Sequence, residues 1–132
     1  MLDCIFCDVA QHVRPANIVA EYEHCYVMKD EFPVNEGHLL IVSKQHVENW
    51  FAADDPTKEE MLKVLDAMKI VLDKEYHPDG YNFGANCGVA AGQTVMHLHV
   101  HLIPRYQGDV ENPRGGVRGV IPSKQSYKNP NN

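Results

Sequence analysis

Long apolar runs are missing from this sequence. No uninterrupted stretch approaches the roughly 20 residues that cross a bilayer, and the opening MLDCIFCD lacks the cationic-then-apolar layout of a secretion signal. The chain is therefore expected to be cytoplasmic and to have no membrane partner. Positive charge is scarce: 12 Lys and Arg face 18 Asp and Glu, for a formal net charge of −6. That balance argues against general attraction to nucleic acid or to anionic lipid. Internal repeats and low-complexity segments are absent as well. What remains, 132 residues of which 44% are hydrophobic, is enough for one compact core and hardly for two.

The charge is unevenly placed. From Arg105 onward the basic residues Arg105, Arg114, Arg118, Lys124 and Lys128 face only Asp109 and Glu111, so a locally cationic end could hold a small polyanion. The last residues, YKNPNN, read instead as a solvated, mobile tail. Residues 1–122 are expected to form the domain and 123–132 a flexible extension.

Alternation in NIVAEYEHCYVMKD predicts two short strands with a turn near Tyr22–His24, and GHLLIVS predicts a buried strand. Ser43 is placed to cap a short helix through KQHVENW, and Asp55 with Pro56 to start a longer one, on which Met61, Leu65, Met68 and Leu72 recur at helical spacing. HPDGY ends it, YNFGAN reads as a strand, CGVAAGQT as a glycine-rich loop, and VMHLHVHLIP as a last strand stopped by Pro104. This order suggests an α+β fold with a helix packed on one face of an antiparallel sheet.

The last strand carries His97, His99 and His101 at every second position. Successive strand side chains alternate faces, so the three imidazoles share one face while Leu98, Val100 and Leu102 supply core on the other. Neighbouring histidines then lie about 6.6 Å apart at the backbone, close enough to surround one phosphate or one metal ion. Two uses stay open: a neutral imidazole attacking phosphorus while its neighbours donate to the phosphoryl oxygens, or a zinc ion that activates water. Three polar residues on a solvated surface are the plain alternative. The alternation and the preceding glycine loop, whose Gly84, Gly88 and Gly92 let backbone amides approach phosphate, weigh against it.

GQTVMHLHVHLIPR resembles the His-φ-His-φ-His-φ-φ signature (φ apolar) of the histidine triad (HIT) family of nucleotide hydrolases and transferases. The resemblance extends through CIFCDV, VMKD, NEGHLLIVSKQH and PRYQGDVENPRGGVRGVIP, covers roughly residues 2–122, and points to a bacterial-type, zinc-binding branch. It implies a HIT-like fold, an antiparallel sheet of about five strands with one long and one short helix. It implies that His99 is the nucleophile at the α-phosphorus, that His101 contacts the α-phosphate, and that His38 is a further active-site histidine. Asn86 matches a polar contact near the phosphate, Gln93 and Thr94 match positions near the leaving group, Asp30 the ribose-binding position, and Ile5, Phe6 and Met28 parts of the base pocket. A carboxylate suits a ribose because it accepts from two adjacent hydroxyls. The amide of Gln93 or Thr94 is a candidate for oxyanion stabilisation.

The spacing in CIFC lets two thiolates hold one metal ion. The resemblance adds His46 and His97 as the remaining ligands of a structural zinc site with Cys4 and Cys7. In relatives without zinc the first triad histidine supports the nucleophile, so the two jobs compete for His97; it is assigned to the metal because both cysteines and His46 are present together. A redox dithiol is the alternative, disfavoured because no strand-to-helix junction is evident at Cys7. Cys25 and Cys87 read as a small buried residue and a loop residue.

The expected activity is cleavage at the α-phosphate of a nucleoside phosphoanhydride or phosphoramidate through a nucleotidyl-histidine intermediate. Adenine is the expected base, and dinucleoside polyphosphates are the leading substrate, with Arg105, Arg114 and Arg118 neutralising additional phosphates. The resemblance implies a homodimer. The rival readings are a zinc-dependent hydrolase using all three triad histidines, and a purine nucleotide-binding regulatory module with incidental turnover.

Overall fold

The computed structural model describes residues 3–127. Five antiparallel strands, β1 (Ile18–Glu21), β2 (Cys25–Lys29), β3 (Leu39–Ser43), β4 (Gly80–Gly84) and β5 (His99–Arg105), form one sheet in the order β1-β2-β3-β5-β4. Two helices accompany it, α1 (Ile5–Ala10) and α2 (Asp55–Tyr76). Among the described residues no helix is long and apolar enough to cross a membrane. The architecture is the expected α+β sheet with one long and one short helix.

Register explains the division of labour between the sheet's faces. Val27 pairs with Ile41, Ile41 with Val100, and Leu39 with Leu102. These residues form one core with Met61, Val64, Met68 and Leu72 of α2. Tyr26 pairs with Val42 and Met28 with Leu40, and this opposite face packs against Cys4, Phe6 and Val9 of the N-terminal segment. On β5 the same register places His101 beside Leu40 and His99 beside Val42. The histidines therefore stand on the face that α1 covers.

The short helix is not where the sequence suggested. Ser43 ends β3 fully buried, and its hydroxyl donates to the Gln45 carbonyl at 2.8 Å instead of capping a helix. Residues 44–49 are irregular, and a single 3-10 turn, Trp50–Ala52, follows with Asn49 as its cap. The short helix is α1, which Cys4 caps by accepting from the Cys7 amide. No strand precedes α1 among the described residues, in keeping with the absence of a strand-to-helix junction expected at Cys7, although Cys7 itself lies in the first turn of the helix. Tyr26 fastens α1 to the sheet by donating its hydroxyl to the Phe6 carbonyl at 2.8 Å.

Helix α2 begins at Asp55, as expected, with Asp54 as its cap. The Asp54 carboxylate accepts from the Thr57 amide, Pro56 occupies the first turn, and His77 closes the helix in the left-handed region at φ 50°. Val64 takes a buried place that the spacing gave to Leu65, which is only half-buried. Strand β5 also departs from expectation at both ends. It starts at His99, leaving His97 before it, and runs through Pro104 to Arg105. Proline is tolerated because β3 ends opposite Leu102, so no ladder partner exists on that side, and the Pro104 carbonyl accepts from the Asn35 side chain instead. Gly37, at φ +88°, wedges the turn before His38 against Tyr76 and Pro104, where a Cβ would meet atoms at 3.0 and 3.1 Å.

After β5 the chain folds back in two 3-10 turns, Gly116–Val120 and Pro122–Lys124. Arg118 donates to the carbonyls of Lys124 and Gln125, and Gln125 to that of Arg114. Residues 128–132 of the expected tail lie outside the described residues.

Candidate active site and metal cluster

Each histidine of the triad face has a partner that decides where its ring hydrogen sits. His99 Nδ1 lies 2.7 Å from the carbonyl oxygen of His97. A carbonyl only accepts, so Nδ1 donates and the Nε2 lone pair is left free on a ring that lines the cleft. The Val34 amide donates to His38 Nδ1 at 3.0 Å, so the hydrogen of neutral His38 is on Nε2, which donates to His101 Nδ1, also at 3.0 Å. His101 in turn carries its hydrogen on Nε2, where it can donate into the cleft. Burial, with His99 and His38 as neighbours, lowers the His101 pKa to about 4 against an opposing Asp30. Burial also lowers that of His38. Both rings are thus held neutral.

Asp30 approaches His38 Nε2 at 3.4 Å and His101 Nδ1 at 4.0 Å. Two histidines and a carboxylate could face a metal ion. The Val34 amide opposes that use, because a cation on His38 Nε2 would drive the ring hydrogen onto Nδ1, against another donor. The chemistry of the donor set favours a hydrogen-bond relay.

The cleft beside these histidines has a volume of about 360 Å³, within the range of small-ligand pockets. Ile5, Phe6, Met28, Asp30, Asn86, Thr94, His99 and His101, all named from the sequence, line it. His38 stands behind His101, buried. Gln93 is not in the wall. Its side chain is committed to the loop, accepting from the Gly88 amide at 2.7 Å and donating to the carbonyls of Glu48 and Val95. Its backbone amide donates to Gly88, so of the two candidate oxyanion donors only the Thr94 amide has no partner among the described residues. The sequence reading missed Val9, Arg14, Glu31, Phe32, Leu40 and Val95 in the lining. Leu40 was within reach of the alternation rule, since it pairs with both Met28 and His101. The loop residues Arg14, Glu31 and Phe32 leave no periodic signal.

Two of the three arginines expected to meet additional phosphates are committed elsewhere. Arg105 forks onto Asp109 at 2.7 and 2.8 Å and reaches Asn82 at 2.6 Å. Arg118 is held by backbone carbonyls, and both it and Arg114 lie over the Tyr127 ring.

The second constellation lies beside the first. Cys4, Cys7, His46 and His97 bring their ligand atoms within 4.8 Å of one another. His97 Nε2 donates to the Ser43 carbonyl at 2.6 Å, which leaves Nδ1 as a lone pair facing Cys4 Sγ at 3.3 Å, Cys7 Sγ at 3.5 Å and His46 Nδ1 at 3.2 Å. A tetrahedral zinc with bonds of about 2.3 Å to sulfur and 2.0–2.1 Å to nitrogen spaces its ligands by about 3.6 Å for N···S and 3.3 Å for N···N. The residues fit such an ion. Burial and Cys4 push the Cys7 thiol up to about 11, so the thiolate form that a metal requires has to be stabilised by the metal itself. His97 thereby serves the two constellations with different atoms, its ring toward the cysteines and its carbonyl toward His99.

The family model of the HIT domain matches residues 11–108. An uncharacterized HIT-like protein of Methanocaldococcus jannaschii is 40% identical over 120 residues, 89% of this chain and 91% of that protein. A protein of Arabidopsis thaliana named an adenylylsulfatase is 30% identical over 107 residues, 81% of this chain and 54% of its own. The crystal structure of a zinc-bound histidine triad family protein from Mycobacterium smegmatis superposes with a TM-score of 0.77 at 32% identity, covering 83% of this chain and 80% of that one. Its metal is compatible with the cysteine and histidine cluster found here. With the matching domain spanning most of the sequence and the fold shared with solved relatives, this chain belongs to the HIT family.

Proposed function

We propose that this protein is a HIT-type enzyme that binds a purine nucleotide in the cleft and breaks a phosphoanhydride or phosphoramidate bond at its α-phosphate. The observation that carries the reading is the hydrogen bond from His99 Nδ1 to the His97 carbonyl, which prepares Nε2 as a nucleophile. In the first step Nε2 bonds to the α-phosphorus and the leaving group departs with the electron pair of the broken bond. Water then attacks the phosphorus, the N–P bond breaks, and a nucleoside monophosphate is released. His101 Nε2–H and the Thr94 amide donate to the phosphoryl oxygens, Asn86 adds a polar contact, and Asp30 accepts from the ribose hydroxyls. Ile5, Phe6 and Met28 enclose the base. His38 fixes the His101 tautomer. Gln93 shapes the loop that carries Thr94.

Zinc held by Cys4, Cys7, His46 and His97 has no open position and supplies structure, not reactivity. A zinc hydrolase built on the whole triad is disfavoured, since His97 Nδ1 faces the cysteines while His99 Nδ1 faces a carbonyl. Adenine is the base expected from the sequence, in keeping with the adenylyl chemistry in the name of the Arabidopsis relative. Dinucleoside polyphosphates stand level with compounds of smaller leaving group, because Arg105 and Arg118 are committed elsewhere. The four free cysteines suit a reducing cytoplasm.

A homodimer completes the proposal. Strand β4 is a sheet edge, and beside it Phe83, Leu62 and Phe51 are 59%, 53% and 78% exposed. A second copy covering this patch would remove both liabilities.

Rapid quenching with a panel of nucleotide anhydrides and phosphoramidates tests the reaction. One nucleotidyl group is expected on the peptide containing His99, and His99→Gly should reduce turnover by at least about a thousandfold. Full nucleotide affinity with no turnover of any compound would instead identify a binding module.

A further inference from the structure

The lining of the cleft carries two charges, Arg14 and Glu31, that the reaction does not use. Apolar residues of α1 (Ile5, Phe6, Val9) and of the sheet (Met28, Leu40) belong to the same lining. Walls of that kind bind any purine and discriminate poorly between them. Selectivity must come from polar groups, and the same lining holds the exposed Arg14 and Glu31. Neither side chain makes a hydrogen bond or an ion pair with another described residue, whereas the neighbouring Asp30 accepts from the Phe32 amide at 2.8 Å and approaches His38.

Both charges are placed by local structure. The bond from the Phe32 amide to Asp30 closes a tight turn with Glu31 at its apex, one residue from the carboxylate proposed to hold the ribose. Arg14 follows α1, where its amide and that of Val13 donate to the Asp8 carbonyl. An acceptor-only group thus follows β2, and a donor-only group follows the helix that forms the opposite wall.

Guanine complements this pair better than adenine does. Its N1–H and N2–H lie side by side and match the two oxygens of one carboxylate, while O6 and N7 accept from a guanidinium. Adenine offers a lone pair at N1, which would face a carboxylate oxygen repulsively. We propose that Glu31 and Arg14 make the cleft guanine-selective, Glu31 accepting from N1–H and N2–H and Arg14 donating to O6 or N7. The inference rests on the nucleotide reading above and departs from it in the choice of base.

Calorimetric affinities of GMP, IMP and AMP for the wild type, Glu31→Gln and Arg14→Gln test it, with thermal unfolding of each variant as a control on folding. In the wild type GMP should bind about tenfold tighter than AMP, with IMP, which lacks the 2-amino group, between them. Glu31→Gln should bring GMP and AMP within about twofold. AMP binding as tightly as GMP to the wild type, or an unchanged ratio in Glu31→Gln, overturns base selection while leaving the nucleotide reading intact. If none of the three binds, the nucleotide reading fails and the inference falls with it.

Discussion

At the scale of single residues, the placement of ring hydrogens organises the site. The His97 carbonyl, the Val34 amide and the Ser43 carbonyl set the tautomers of His99, His38 and His97, and backbone groups do not titrate. His101 differs in having another imidazole as its partner, and burial lowers its pKa from 6.5 to about 4, as it does that of His97. As pH falls below about 6.5 the unfolded chain takes up a proton at this position that the folded chain refuses until about pH 4. Stability from this ring is therefore full above about pH 6.5 and declines between the two values. Urea midpoints measured from pH 7.5 to 4.5 should fall toward acid, and His101→Asn should flatten that slope. Gln93 has a different role than its sequence position implied. Its buried amide joins three backbone groups, and Gln93→Ala leaves them unsatisfied at a cost of about 2–3 kcal/mol. A lower melting temperature is expected, and an unchanged one would mean that water replaces the amide without loss.

At the scale of elements, α1 is the piece on which the cleft depends and the one least visible in the sequence. Six residues carry too little periodicity to announce a helix, and its support is a sulfur cap, two cysteines in the metal cluster and contacts made from far along the chain. The Phe6 ring stands 4.9 Å from that of His99, so whatever loosens α1 also loosens the wall beside the nucleophile. Metal analysis of the wild type should find one zinc per chain, and the double variant Cys4→Ser, Cys7→Ser should hold none. Its nucleotide affinity should drop roughly tenfold, the equivalent of about 1.4 kcal/mol, with the strand signal in circular dichroism retained. By contrast β5 was legible, because alternation fixes which of its residues share a face and His99 and His101 obeyed it. The helix expected through KQHVENW failed because Ser43 was buried at a strand end, a fact of tertiary packing that a cap motif does not encode. Periodicity on α2 erred only between Val64 and Leu65, adjacent residues at the edge of the buried stripe.

At the scale of the whole molecule, the sheet has two faces of unequal character. One is closed by the 22 residues of α2 over a continuous apolar core. The other bears the histidines, the cleft and the metal cluster beneath α1. Beyond both lies the exposed β4 edge, where light scattering should report twice the chain mass and Phe83→Asp should shift it toward the monomer. The unequal faces also imply an order of failure. Backbone amides of β3 and α2 should be the last to exchange with deuterated solvent, and those between residues 5 and 16 the first. A protease added to metal-depleted protein should therefore clip near the N-terminus and leave a folded remnant that keeps His99 and His101 on the sheet but has lost the wall that encloses a bound nucleotide: the chemistry outlasts the grip.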